Sequence, residues 1–214
     1  MIEPGQDSKR RADQSRKVAL FGGTFDPIHD GHVFIASEAQ RLCGLDEVIF
    51  VPCWQSPHKP DRRVTESHHR VEIARLAVAD LPWAKVSDFE AARSEPSYSW
   101  QTAQHFTQSQ PNSELFWLLG VDQWQVIDQW SHPEILAELL TFIVFGRNGL
   151  KPEAKPRFRH VFLPGTIDFS ATEIRAFLAK NTVPPGLDAR VIDYVRRHKP
   201  YSEGGADEVL TSQA

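Results

Sequence analysis

The residues best suited to chemistry lie together in the stretch FGGTFDPIHDGH, residues 21–32. Two glycines end an apolar run, an Asp-Pro pair forms a turn, and His29 and His32 follow three residues apart. Imidazoles beside glycine-rich backbone can bind a metal ion or the oxygens of a phosphate. The same residues could also form an ordinary turn between a strand and a helix.

The end of this first apolar run has the features of a phosphate-binding turn. Glycines let the backbone approach a ligand closely, because no Cβ stands in the way. The helix that follows would offer free N–H groups and the positive end of its dipole to phosphate oxygens. At helical spacing, His29 and His32 project from one face of the helix start and add two donors. The turn itself comprises Gly22, Gly23, Thr24 and Phe25.

A metal site and a known nucleotide loop both fit this stretch less well. The turn matches neither the dinucleotide pattern GxGxxG nor a Walker phosphate loop. A zinc site would need a third ligand, and no Glu or Cys follows the two histidines at a convincing spacing. His68 and His69 are adjacent and would point differently on a helix. The sequence therefore favours a phosphate-binding turn and predicts no metal ligated by the protein.

Strands and helices must alternate along the chain to position this turn. Apolar runs that are nearly continuous predict strands covered on both faces, at residues 17–21, 47–52, 114–120, 140–146 and 159–164. Helical spacing predicts helices at residues 30–43, 70–79, 99–106, 132–140, 171–180 and about 188–197. This alternation predicts an α/β fold with a doubly wound parallel sheet, in which ligands bind beyond the carboxyl ends of the strands.

Length and composition predict one globular domain with polar ends. The chain has 214 residues, of which 41% are hydrophobic and 24% charged. Residues 17–201 would form the domain, and the polar segments 1–16 and 202–214 are predicted to be disordered. Two cysteines are too few for a disulfide framework and suggest reduced thiols.

Charge and hydropathy also restrict the location and the partners. The net charge of −4 gives no sign of nucleic-acid binding. The charged N-terminus is followed by no apolar segment of a secretory signal, and no run of about 18 apolar residues could span a membrane. We therefore expect a cytoplasmic protein without nucleic-acid or membrane partners; the sequence makes no prediction of its oligomeric state.

Several blocks along residues 17–201 carry a family resemblance. They are GGTFDPIHDGH, PHK at 57–59, EPSYSWQT at 95–102, LLGVDQWQVIDQW at 118–130, FGRNG at 145–149 and FSATEIR at 169–175. The residues of these blocks and their order resemble those of the bacterial nicotinate-nucleotide adenylyltransferases of the HxGH nucleotidyltransferase superfamily, which has a Rossmann-like fold. The chain departs from the family pattern at Ser99 (usually Thr), Ala171 (usually Ser), Phe169 (usually Ile) and Asn148 (usually Pro). Ala171 removes a hydroxyl from a stretch that would bind phosphate.

The resemblance implies adenylyl transfer from ATP to nicotinate mononucleotide, giving deamido-NAD and pyrophosphate in NAD biosynthesis. One phosphate oxygen attacks the α-phosphorus of ATP in line, so positioning and charge stabilisation should dominate catalysis. ATP and nicotinate mononucleotide are then the implied partners. Mg²⁺ would accompany ATP, held mainly by phosphate oxygens and water rather than by carboxylates.

The resemblance also implies a role for each site residue. His29 and His32 would donate hydrogen bonds to ATP phosphates as negative charge shifts to pyrophosphate. Residues 22–25 would form the floor on which the reacting phosphates meet. The remaining ATP-binding residues would be Gly120, Asp122, Ser170, Thr172 and Arg175. The mononucleotide would contact Lys59, Tyr98, Ser99, Trp130 and Arg147. Trp130 would stack on the pyridine ring, whereas Asp122 would accept hydrogen bonds from ribose hydroxyls. For residues 170–175 the alternative is a capping box alone.

Three other functions remain as alternatives at this point. A related adenylyltransferase could act on nicotinamide mononucleotide or on phosphopantetheine, although His29 and the aromatic residues near Tyr98 and Trp130 argue against pantetheine. A nucleotide-sensing protein could bind ATP without catalysis. A dehydrogenase on a similar sheet would require the missing GxGxxG turn.

Overall fold

The computed structural model describes residues 15–57, 64–146, 151–165, 171–180 and 182–201. Within these ranges the strands are β1 (Arg16–Gly23), β2 (Glu47–Pro52), β3 (Ala84–Val86), β4 (Ser113–Gly120), β5 (Thr141–Phe145) and β6 (His160–Leu163). The α-helices are α1 (Asp30–Cys43), α2 (Ser67–Ala77), α3 (Ser99–Ser109), α4 (Val121–Gln125), α5 (Pro133–Leu139), α6 (Ala171–Ala179) and α7 (Ala189–His198). A 3₁₀ turn follows α4 at Ile127–Gln129.

The strands form one parallel sheet in the order β3-β2-β1-β4-β5-β6. The chain first builds outward from β1 to β3 and then returns to add β4 on the other side of β1. This reversal leaves a crevice between the carboxyl ends of β1 and β4, where open α/β sheets bind ligands. The predicted doubly wound parallel sheet is therefore confirmed.

Helices cover both faces of the sheet, which explains the continuous apolar runs in the strands. Ala19 and Phe21 of β1 belong to the core beneath α1, α2 and α7. Val18 and Leu20 belong to the opposite core, beneath α3, α4 and α5. Because successive side chains point to opposite faces, β1 must be apolar at each of these positions.

The sequence did not predict β3 or the short helix α4. β3 has only three residues, lies at the edge of the sheet and is not fully buried, so it carries no periodic signal. α2 begins at Ser67, three residues before the predicted start. Residues 1–14 and 202–214 lie outside the described ranges, so the proposed domain limits remain predictions. No helix among the described residues is both long enough and apolar enough to cross a bilayer.

Candidate active site

A cavity of about 680 Å³ opens at the crevice between β1 and β4. This volume is in the range of small-molecule sites. Its lining comes from the end of β1, the start of α1, the loop after β2, the start of α3, the end of β4 and α6. The predicted site residues in this lining are Gly22, Gly23, Thr24, Phe25, His32, Tyr98, Ser99, Gly120, Trp130 and Arg175. Residues distant in the sequence are therefore brought together where the fold predicts a ligand.

The two glycines at the end of β1 are required by their neighbours. A Cβ on Gly22 would lie 2.7 Å from Cζ2 of Trp117, and a Cβ on Gly23 would lie 2.9 Å from Cζ of Phe25. Phe25 itself has a φ of 47°, which is uncommon for an aromatic residue. Its buried ring packs edge-on against Phe21, with 5.4 Å between the centroids. Aromatic packing thus fixes the backbone of this turn.

His32 combines a structural hydrogen bond with a place in the cavity lining. The backbone N–H of His29 donates to Nδ1 of His32 at 3.3 Å, in a capping arrangement at the start of α1. Burial, with a further effect of neighbouring His29, holds the pKa of His32 well below its usual value. A neutral imidazole whose Nδ1 accepts must carry its proton on Nε2. Capping and ligand binding are therefore compatible, because they use different ring nitrogens.

His29 lies behind His32 rather than in the cavity lining. It is buried as the N-cap of α1, and its ring centroid lies 3.8 Å from that of His32. Burial lowers the pKa of His29 to about 4. The sequence assigned both histidines to phosphate, but the structure gives them unequal positions. A direct phosphate contact of His29 stays a prediction.

Arg175 connects α6 to the first turn. Its Nη1 donates to the carbonyl oxygen of Asp26 at 2.6 Å, and its Nη2 donates to Oγ1 of Thr172 at 3.2 Å. Arg175 and Ala171 line the cavity, whereas Thr172 is exposed and outside the lining. Ser170 lies outside the described residues. Of the residues predicted to bind this phosphate, Arg175 therefore has the clearest access to a ligand.

Gly120 and Asp122 have different positions at the end of β4. Gly120 is the last residue of the strand and lines the cavity. Asp122 is exposed on α4 and is not part of the lining, although its neighbour Gln123 is. The ribose contact assigned to Asp122 therefore stays a prediction.

Tyr98, Ser99 and Trp130 lie on the other side of the cavity, where α3 begins. The ring of Trp130 meets that of Trp117 edge-on, with 6.2 Å between the centroids. The first N–H groups of any helix have no partner within it, so the start of α3 at Ser99 offers donors and a positive dipole end. Lys59 and Arg147, also assigned to the mononucleotide, lie outside the described residues.

Arg70 holds the loops of the site together, a role that the sequence did not indicate. The side chain is fully buried in α2. It donates from Nε to the carbonyl of Thr65 at 2.7 Å, from Nη1 to that of Thr24 at 2.7 Å and from Nη2 to that of Trp54 at 3.0 Å. Because all three partners are backbone carbonyls, no side-chain pattern could have predicted this network.

A histidine-containing turn at the switch point of a parallel sheet is the arrangement of the HxGH nucleotidyltransferases that the sequence resembles. The cytidylyltransferase-like family model matches residues 20–177. The chain belongs to the cytidylyltransferase-like family, and many of its curated relatives are named nicotinate-nucleotide adenylyltransferase.

Two such relatives match the chain over most of its length. The probable nicotinate-nucleotide adenylyltransferase of Methylacidiphilum infernorum is 34% identical, covering 87% of this chain and 93% of that protein. The nicotinate-nucleotide adenylyltransferase of Bacillus subtilis is also 34% identical, covering 87% of this chain and 98% of that protein. The resemblance that the motifs indicated is thus confirmed.

Solved structures share the fold. The Plasmodium falciparum nicotinic acid mononucleotide adenylyltransferase complexed with NaAD aligns with a TM-score of 0.73 and 22% identity, covering 87% of this chain and 97% of that chain. The same enzyme complexed with APC aligns with a TM-score of 0.71. At this identity the likeness establishes the Rossmann-like architecture of the chain.

Proposed function

We propose that this protein transfers the adenylyl group of ATP to nicotinate mononucleotide, forming deamido-NAD and releasing pyrophosphate. The observation that carries the proposal is the position of His32, whose Nδ1 is occupied by the helix cap and whose Nε2 is left to donate at the cavity. Two relatives that are about a third identical over nearly their whole length are both named nicotinate-nucleotide adenylyltransferase. This shared name supports nicotinate mononucleotide as the acceptor.

The reaction requires little covalent chemistry of the protein. An oxygen of the mononucleotide phosphate forms a bond to the α-phosphorus of ATP. The bond from that phosphorus to the bridging oxygen breaks, and pyrophosphate leaves with this oxygen. A phosphate monoester is largely ionised at neutral pH, so no general base is needed to activate it. Stabilising the charge that moves onto pyrophosphate is therefore the main task.

Three described groups can stabilise this charge. The neutral imidazole of His32 donates from Nε2, and the start of α1 adds the positive end of its dipole. Arg175 lines the same cavity and is held by the carbonyl of Asp26, so its position is fixed before a ligand arrives. A guanidinium in this position forms charge-assisted hydrogen bonds with phosphate oxygens.

Mg²⁺ enters this proposal as part of the ATP substrate. Within the described ranges, no group of three His, Cys, Asp or Glu side chains is arranged to hold a metal. The carboxylates in the cavity lining are Asp26 and Glu90, and both are buried. Phosphate oxygens and water would therefore provide most ligands of the ion, as is usual for Mg²⁺-nucleotide complexes. We expect chelation to abolish activity and added Mg²⁺ to restore it.

The start of α3 supports an acidic pyridine over its amide. Tyr98 and Ser99 line the cavity at this helix N-terminus, whose positive dipole end stabilises a carboxylate more than a neutral carboxamide. The half-buried ring of Trp130 provides an aromatic surface for the pyridine.

The location in the cytoplasm, expected from the sequence, remains a prediction.

Pyrophosphate release from Mg²⁺-ATP tests the function directly. Nicotinate mononucleotide, nicotinamide mononucleotide and phosphopantetheine would be compared as acceptors, with His32→Ala as the control. We expect the highest kcat/KM for the nicotinate substrate and a large loss in the variant. Binding of ATP without release from any acceptor would instead indicate a nucleotide-sensing protein.

A further inference from the structure

Glu90 is a buried carboxylate beside the cavity to which the proposed chemistry assigns no role. It lies in the turn between β3 and α3, it is 6% exposed, and it contributes to the cavity lining. Oγ1 of Thr102, itself buried, donates to its Oε1 at 2.5 Å. Burial raises the pKa of Glu90, and the nearby hydroxyl groups of Thr102 and Ser97 act to lower it.

The two hydroxyl groups near Glu90 lie on either side of the start of α3. Ser97 comes two residues before the helix, and Thr102 closes its first turn. Tyr98 and Ser99, which lie between them, line the cavity. The carboxylate therefore binds the first turn of α3 through Thr102 and lies close to Ser97 at the other end of this cavity-lining segment.

The same network continues into the loop after β2. The backbone N–H of Trp54 donates to Oγ of Ser97 at 3.1 Å, and the N–H of Ser97 donates to the carbonyl of Gln55 at 3.0 Å. The carbonyl of Trp54 accepts from Nη2 of Arg70. Trp54 is thus held at its N–H by Ser97, which lies near Glu90, and at its carbonyl by Arg70. Ser56 and Pro57, which follow, line the cavity.

A structural role alone does not explain a carboxylate at this position. Burying an ionisable group costs free energy, and a well-packed apolar residue is often at least as stable. A hydrogen bond from Thr102, with the hydroxyl of Ser97 nearby, instead gives the start of α3 a defined geometry, as expected where a binding surface must be precise.

We infer that Glu90 is a positioning residue that sets the geometry of the acceptor side of the cavity, formed by residues 53–57 and 97–99. This inference rests on the proposed function, because Tyr98 and Ser99 of that side are assigned to nicotinate mononucleotide. Glu90 would act through Ser97 and Thr102, without touching the reacting atoms.

Kinetics of Glu90→Gln test the inference. The amide retains one acceptor oxygen but replaces the other with an NH₂ group, so one of the two hydroxyl donors loses its partner. Losing such a hydrogen bond corresponds to about a tenfold effect on an equilibrium. We expect KM and the calorimetric Kd for nicotinate mononucleotide to rise about tenfold, while KM for ATP changes by less than about twofold.

Two further variants separate positioning from loss of stability. Thr102→Val removes the donor and should raise KM and Kd for the mononucleotide as Glu90→Gln does. Thr102→Ser keeps the hydroxyl and should leave both values near those of the wild type. Glu47→Gln is a matched control: Glu47 is 3% exposed and pairs with Arg16 at 2.7 Å and Lys85 at 2.6 Å, at the opposite end of β2. It should lower Tm without altering KM for either substrate.

The outcomes distinguish this inference from the function on which it rests. An unchanged Kd for the mononucleotide in folded Glu90→Gln, or an equal rise in both KM values, would overturn the positioning role. If the wild-type protein binds the mononucleotide but forms no product, the proposed function fails, and the inference is decided by the shift in Kd. If the wild-type protein does not bind the mononucleotide, both fail.

Discussion

Two of the helices that begin at the cavity, α1 and α3, are held in place in different ways. The cap of α1 is local, because His29 and His32 of the same turn form it. The N-cap of α3, Tyr98, makes no side-chain capping bond, and Glu90 holds this helix start from a separate segment. The residues that form the first arrangement lie in one contiguous sequence motif. The second exists only once the fold has assembled.

The largest expected effect tests whether His32, at the start of α1, stabilises the charge that develops during the reaction. His32→Ala should lower kcat about 100- to 1,000-fold, the usual cost of removing one donor to a developing charge. Asn and Gln separate the two ring nitrogens: Asn can replace the Nδ1 acceptor of the cap, and Gln can reach toward the Nε2 donor position. We expect His32→Asn to keep stability but lose kcat, and His32→Gln to keep more of kcat. Equal kcat values for the two would contradict the separate roles of the nitrogens.

A second prediction concerns pH and the local cap of α1. Folding lowers the pKa of His29 from 6.5 to about 4, so the unfolded chain binds more protons between these values. The free energy of unfolding should therefore fall as the pH drops from 6.5 to 4, by about 3 kcal/mol from this residue.

Urea unfolding of the wild type and His29→Asn at about pH 4.5 and about pH 7 provides the measurement. Asn is a favourable N-cap residue and does not titrate, so the variant should lose less stability on acidification. Parallel losses in both proteins would show that His29 is not buried in its neutral form.

The smallest effect concerns the acceptor side. Trp130→Ala should raise KM for nicotinate mononucleotide about tenfold, since stacking on an aromatic side chain contributes about 1–3 kcal/mol per base. KM for ATP should change little, and Trp130→Phe should retain most of the affinity. A similar rise in both KM values would remove the distinction between the two sides of the cavity.

The sequence predicted the parts of the molecule whose determinants are local. The alternation of apolar runs and helical spacing indicated the parallel sheet, and the turn at residues 22–32 indicated where the cavity lies. β3 was missed because three residues at a sheet edge show no periodicity. The separate positions of His29 and His32 could not be predicted, because residues three apart on a helix share a face until packing distinguishes them.

Long-range contacts limited the prediction of the acceptor side. In the sequence, Glu90 is one acidic residue among several charged neighbours and gives no sign of burial. Arg70 begins a predicted helix, but its three carbonyl partners come from segments that are adjacent only in the folded protein. Asp122 was expected at the cavity, yet the helical turn of α4 leaves it exposed beside the lining.

The buried guanidinium of Arg70 has a consequence for the affinity of the site. One rigid, planar group fixes the carbonyls of Thr24, Trp54 and Thr65, so three chain segments lose their conformational freedom when the protein folds. A ligand that enters the cavity therefore has less backbone left to order. Binding energy that would otherwise offset loop entropy is available for affinity, which is the thermodynamic advantage of preorganisation.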